Sequence, residues 1–200
     1  MKIIKVKPSV NGTNSYILVN ENNNLGFVID PDDYSIVTKT ALDNGVKLVA
    51  CLLTHGHFDH IGGVCRLQKD GVKVYISNGD SDKLYGDGNL GALFGVSVEN
   101  CIADFTFDDG DIIDVAGIKV KVLVTPGHTI GSSCFMVENA FFTGDTIFYM
   151  SIGRVDIGGD ATLMSKSLER IKNIDGEWVL YAGHGRPTTL QHEKKFNPYL

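Results

Sequence analysis

The chain has 200 residues, 43% hydrophobic and 21% charged, which suits one globular domain over 1–200 with a sizeable core. Its net charge of −6 argues against nucleic acid or an anionic membrane as the main partner, because phosphate groups would be repelled. It has no apolar run of the roughly 18 residues that a membrane span needs, and residues 1–6 are too short and too alternating for a signal peptide.

Strand-like segments come first, at 3–7, 15–19 and 26–29, with the Asn-rich stretch 20–24 as a hairpin tip. Residues 33–44 read as a helix that places Ile36, Val37, Thr40 and Ala41 on one face and is closed by Gly45. Residues 46–53 form a buried-strand run that stops at Thr54. A short helix at 61–68 and a strand at 72–76 follow. From 78 to 100 the pattern dissolves into glycines and isolated apolar residues, which reads as a mobile loop with some helix. Further strands are expected at 112–115, 118–124, 132–138 and 140–143. Residues 161–174 make an amphipathic helix with Leu163, Ser167, Leu168 and Ile171 inward. A last buried strand at 178–181 precedes a polar helix at 189–196, where His192 reads as exposed. Strands, helix and strand thus occur twice. That order predicts an α/β fold, a four-layer αββα sandwich of two mixed sheets with helices outside. The four cysteines, Cys51, Cys65, Cys101 and Cys134, form no C-x-x-C pair. They read as reduced, mostly buried thiols of a cytoplasmic protein, not as a zinc knuckle.

The chemistry is concentrated where the 46–53 strand ends. His55-Gly56-His57-Phe58-Asp59-His60 supplies three of the six histidines and one carboxylate, all groups that zinc, iron or manganese accept as ligands. Three other buried strands run into a ligand-type residue flanked by glycine: His128 after 120–124, Asp145 after 140–143 and His184 after 178–181. Seven ligands exceed what one tetrahedral ion uses. They suit two divalent ions about 3.5–4 Å apart that share a carboxylate and a hydroxide. In an extended loop, side chains two apart face the same way, so His55 and His57 would hold one ion, completed by His128. Asp59 and His60 would face the second, completed by His184, and Asp145 would bridge. Zinc is the expected metal, with iron or manganese as substitutes.

Thr54 before the first histidine, Thr125-Pro126-Gly127-His128-Thr129, Phe142-Thr143-Gly144-Asp145-Thr146 and Gly183-His184-Gly185 together resemble the metallo-β-lactamase-fold hydrolase superfamily. The likeness runs from Asn14-Ser15-Tyr16 and Ile29-Asp30-Pro31 nearly to the C-terminus. It implies the αββα fold and a supporting hydrogen-bonding role for Asp30, alongside Thr54. Ser151-Ile152-Gly153-Arg154-Val155-Asp156 and Gly158-Gly159-Asp160 are similar to single-domain type II glyoxalase (hydroxyacylglutathione hydrolase)-like proteins. Arg186 departs from that pattern, standing where a proline is expected.

The resemblance implies a thioester hydrolase. Asp59 and Asp145 would act through a metal-bound hydroxide, on a small-molecule thioester, with no nucleic acid or membrane partner. Selectivity for glutathione is expected to be weak, since little chain follows the last motif. Tyr149, Arg154 and the 78–100 segment would line the substrate side, although a buried ion pair of Arg154 with Asp156 is the preferred reading. Rival readings are a one-iron persulfide dioxygenase, an RNase Z-like nuclease and a β-lactamase. The sequence leaves the oligomeric state open.

Overall fold

A computed structural model describes residues 1–200. The first sheet takes its strands in sequence order: β1 (Lys2–Lys5), β2 (Tyr16–Asn20), β3 (Leu25–Ile29), β4 (Lys47–Leu52), β5 (Lys73–Ser77) and β6 (Phe105–Phe107). The first three strands pair antiparallel, and β3 through β6 pair parallel. The second sheet contains β7 (Ile112–Val115), β8 (Ile118–Val124), β9 (Ser133–Val137) and β10 (Ala140–Gly144). A small separate hairpin follows, β11 (Ile147–Phe148) with β12 (Ser151–Ile152). The second sheet is then completed by β13 (Val179–Ala182), parallel to β10, and β14 (Thr188–Thr189).

Period-two alternation explains the layers. In β2, Leu18 faces the other sheet while Ile17 and Val19 face outward, and β3 does the same with Phe27 and Val28. Leu18, Phe27 and Leu52 meet Val120, Val122, Phe135 and Phe142 between the sheets. On the outer face of the first sheet, Ile17, Val28 and Val74 pack on helices α1 (Tyr34–Asp43) and α3 (Val64–Lys69). On the far face of the second sheet, Leu123, Phe141 and Leu180 pack on α4 (Ala161–Lys172) and α5 (Leu190–Phe196). These three cores separate four layers, the αββα sandwich expected from the order of elements. Asp33 caps α1 by accepting from Ile36 N–H at 2.8 Å, and Asp160 caps α4 in the same way. No helix is long and apolar enough to cross a membrane.

Four expectations need correction. The helix expected at 61–68 is two pieces, α2 (Phe58–Ile61) and α3, broken at Gly62-Gly63. In α4 the inward residue is Met164, with Leu163 only half-buried. The 78–100 segment has the helix expected of it, but more of it than a loop with some helix. It winds through three short 3₁₀ turns that bury Asp80, Leu84, Asn89 and Gly91. Finally, Cys65 and Cys101 are joined in a disulfide with Cα atoms 5.5 Å apart, while Cys51 and Cys134 are buried free thiols. A separation of 36 residues carries no pairing signal in the sequence.

Candidate metal centre

The C-terminal ends of β8, β10 and β13 lie together because β10 and β13 are parallel and β8 and β10 are each antiparallel to β9. The end of β4 is stitched to this edge by Ser133 N–H donating to the Thr54 carbonyl at 2.8 Å. All seven candidate ligands therefore meet at one place. His55 and His57 follow β4, and Asp59 and His60 lie in the short α2. His128 follows β8, Asp145 follows β10 and His184 follows β13.

Within this cluster, ligand atoms of three groups lie within 4.8 Å of one another: His55, His57 and His128; His55, His60 and Asp145; and Asp59, His60 and His184. His57 Nδ1 stands 2.8 Å from His128 Nε2. Asp145 reaches both ends of the cluster. Its Oδ1 is 3.4 Å from His60 Nε2, and its Oδ2 is 3.7 Å from His128 Nε2 and 3.6 Å from His184 Nε2. Asp59 Oδ2 is 3.2 Å from His184 Nε2 and accepts from the Thr13 hydroxyl.

The hydrogen bonds around the cluster fix the ring tautomers. Asp30 is 1% exposed and stands at φ 51°, a conformation costly for a non-glycine residue. It accepts from Thr54 N–H at 2.8 Å and Thr54 Oγ1 at 2.7 Å, and from His60 Nδ1–H at 2.9 Å. With its proton given to Asp30, Thr54 Oγ1 accepts from His55 Nδ1–H at 3.1 Å. His128 Nδ1–H donates to the Arg154 carbonyl at 2.7 Å. Each of these rings therefore turns its Nε2 towards the centre. His55 Nε2, His60 Nε2 and Asp145 Oδ1 are buried there without a hydrogen bond. Buried polar atoms are ordinarily satisfied. Inward-aimed lone pairs backed by outer hydrogen bonds are the arrangement a metal site needs, so the residues fit a pair of divalent ions.

Electrostatics divides the cluster. Burial pushes His55 well below the ordinary imidazole value, and the rings of His60 and His128 add to this. Burial, then His128 and His60, takes His57 down to about 3. Both are neutral, the form that binds metal. His60 goes the other way. Burial opposes its charge, but Asp145 and Asp30 raise it to about 10. For His184, burial also opposes the charge, and Asp59 and Asp145 outweigh it. Burial favours a neutral Asp59, yet His184 and His60 hold its pKa below the carboxylate range. The carboxylates thus concentrate negative potential where the second ion would sit.

The centre opens into a cavity of about 420 Å³. Phe58, Leu90 and Phe94 form one wall, with the first and last rings stacked at 5.2 Å. Phe148, Ile152, Ile157 and Arg154 form the other. Arg154 does pair with Asp156 through two 2.8 Å bonds, but the pair is exposed, not buried. Tyr149 is not a lining residue. Its ring is covered by the Arg186 guanidinium at 3.7 Å and stacks on His192 at 5.2 Å, which makes His192 half-buried instead of free. The apolar wall escaped the sequence reading because isolated phenylalanines carry no periodic signal. Asp80, which holds two of the ligand loops, was also missed. It follows a buried strand with glycine beside it, the same context that marks Asp145.

Comparison with known proteins gives consistent matches. The sequence profile of the metallo-beta-lactamase superfamily matches residues 9–184. The hydroxyacylglutathione hydrolase GloC of Haemophilus influenzae is 34% identical over 80% of this chain and 78% of its own length. Among solved structures, BLEG-1, described as a B3 metallo-beta-lactamase, superposes with a TM-score of 0.93 at 29% identity, covering 100% of this chain and 99% of that one. The di-iron-bound form of TTHA1623 superposes with a TM-score of 0.87 at 28% identity, covering 98% and 100%.

Proposed function

This chain belongs to the metallo-beta-lactamase superfamily, and from that premise we propose that it is a binuclear metal-dependent hydrolase acting on small acyl thioesters. The seven clustered residues would hold the ions: His55, His57 and His128 one, Asp59, His60 and His184 the other, with Asp145 between them. Zinc is the default metal for such a nitrogen and oxygen donor set, and iron or manganese can replace it. When bound, a pair of divalent ions acidifies water and polarises a carbonyl.

The observation that carries the thioester reading is what the cavity lacks. Apart from the candidate ligands, its only polar lining residue is Arg154, and a guanidinium does not give up its proton near neutral pH. No hydroxyl, thiol or lysine stands ready to protonate a departing group. Such a site suits a leaving group that can depart as a stable anion. A thiolate does so readily, its conjugate acid having a pKa of about 8.5, whereas an amine or alkoxide does not. The walls suit an apolar body of modest size. Beyond the metal and its candidate ligands, the only lining cation is Arg154, already paired with Asp156, which leaves no unpaired side-chain cation for the carboxylates of a thiol carrier such as glutathione.

A three-way assay tests the reading. The zinc-loaded protein is offered short acyl thioesters with thiol release followed by absorbance, a chromogenic β-lactam, and, as an iron-loaded preparation, glutathione persulfide in an oxygen electrode. Thioester turnover well above the other two is expected. Oxygen uptake without thioester turnover would move the protein to the dioxygenase class, and dominant β-lactam turnover would make it a lactamase.

A further inference from the structure

Asp80 is completely buried, yet it belongs to none of the groups that would hold metal. Its Oδ2 accepts from the backbone N–H of Gly56 at 2.9 Å and from the Thr129 hydroxyl at 2.8 Å. Its Oδ1 accepts from the N–H of Gly131 at 2.9 Å and faces Lys83 Nζ at 3.2 Å. Gly56 separates His55 from His57, and Thr129 follows His128. One carboxylate thus ties together the two loops that carry the whole first ligand group. The loops come from different sheets, and 71 residues separate His57 from His128. Thr129 is further secured by Ser132, whose hydroxyl accepts from Thr129 N–H at 3.0 Å. The approach is so close that a Cβ on Gly131 would fall within 2.7 Å of the Asp80 Cβ.

We infer that Asp80 is a positioning residue for the first metal-binding group, setting the distance between the His55–His57 pair and His128. This rests on the metal-centre reading above, but not on the choice of substrate. A buried charge accepting three hydrogen bonds, with a lysine beside it, resists displacement far better than loop backbone alone. Lys83 supplies the counter-charge. The chain runs on from this turn through two more 3₁₀ turns to Leu90 and Phe94 of the cavity wall.

The test compares Asp80→Asn with Glu193→Gln. Asparagine keeps the shape but must turn an amide N–H towards donors on one side or the other. Glu193 is equally buried and accepts from Met150 N–H and the Thr188 hydroxyl, remote from the first group. Metal affinities are read by chelator competition, the cobalt-substituted visible spectrum reports geometry, and thermal melting reports stability. Asp80→Asn should lose about 10- to 100-fold in affinity at one of the two sites, with an altered cobalt spectrum and the other site within about threefold of the parent. Glu193→Gln should melt earlier while keeping both affinities. If Asp80→Asn does not fold, Thr129→Val replaces it, with an expected loss of about three- to tenfold at the same site. Retention of both affinities in the Asp80 or Thr129 variant, or equal loss at both sites, overturns the inference. A parent protein that binds no metal overturns the metal-centre reading itself, which separates the two failures.

Discussion

Gly183→Ala adds a single methyl beside the centre, and the structure gives its consequence. A Cβ at Gly183 would lie 2.7 Å from His60 Cε1, and closer still to Asp145 Oδ1. An ordinary carbon–carbon contact is about 3.5 Å, so the ring, the carboxylate or the loop must yield by about 0.8 Å. The loop has little freedom. Gly183 N–H donates to Gly144 O at 2.8 Å, and its carbonyl accepts from Asn14 N–H at 2.7 Å. His60 is pinned from behind by Asp30. The yielding group is therefore Asp145, whose Oδ1 makes no hydrogen bond and only approaches His60 Nε2 at 3.4 Å. A misplacement on the order of 1 Å at a reacting centre costs about 100-fold in rate. Overpacking costs about 1–3 kcal/mol of stability, which for a chain this size is roughly 2–12 °C in Tm. Metal content, turnover and melting are measured on the same preparation. The expected result is a folded protein with a modest Tm loss, about 100-fold slower and with weakened metal at one or both sites. A variant that keeps both ions and turns over within about threefold of the parent would refute the placement of Asp145 between the groups.

Asp145→Asn should likewise lower turnover by about 100-fold or more, because a neutral amide bridges poorly, while His192→Ala, whose ring stacks on Tyr149 away from the cavity, should stay within about twofold; equal behaviour in kinetic assays would contradict the assignment. Metal loading should also release protons. Asp145 and Asp30 raise the His60 pKa to about 10, so at pH 8 the metal-free ring carries a second proton, on Nε2. That proton must leave for the ring to bind metal, so affinity at the second group falls as pH falls. An indicator dye in weak buffer should register about one proton or more per chain, and no release would remove His60 from the ligand set.

Much of this arrangement was legible because it is periodic or clustered. Alternation in 118–124, and the apolar runs at 46–53 and 140–143, place strands whose ends carry the candidate ligands, and glycine beside His184 and Asp145 marks the sharp turns there. What escaped depends on packing between distant segments. Asp80 shares the strand-then-glycine context of Asp145, but Asn78-Gly79-Asp80-Ser81 also has the composition of a solvated turn, and only the packing of the two loops against it makes it buried. Phe58 and Phe94 are 36 residues apart and form a wall only because the 3₁₀ turns fold back over α2. The Cys65–Cys101 pairing likewise follows from where that segment ends. The side Tyr149 faces is not legible in sequence, because a residue just after a strand can turn either way, and here its ring packs on Arg186 and His192.

The central claim is that one patch of seven side chains holds two metal ions. Elemental analysis after reconstitution with excess zinc and removal of loosely held metal tests it most directly. About two ions per chain are expected, falling to about one when Asp59 and His184 are both replaced by alanine. A parent protein that retains one ion or fewer would contradict it.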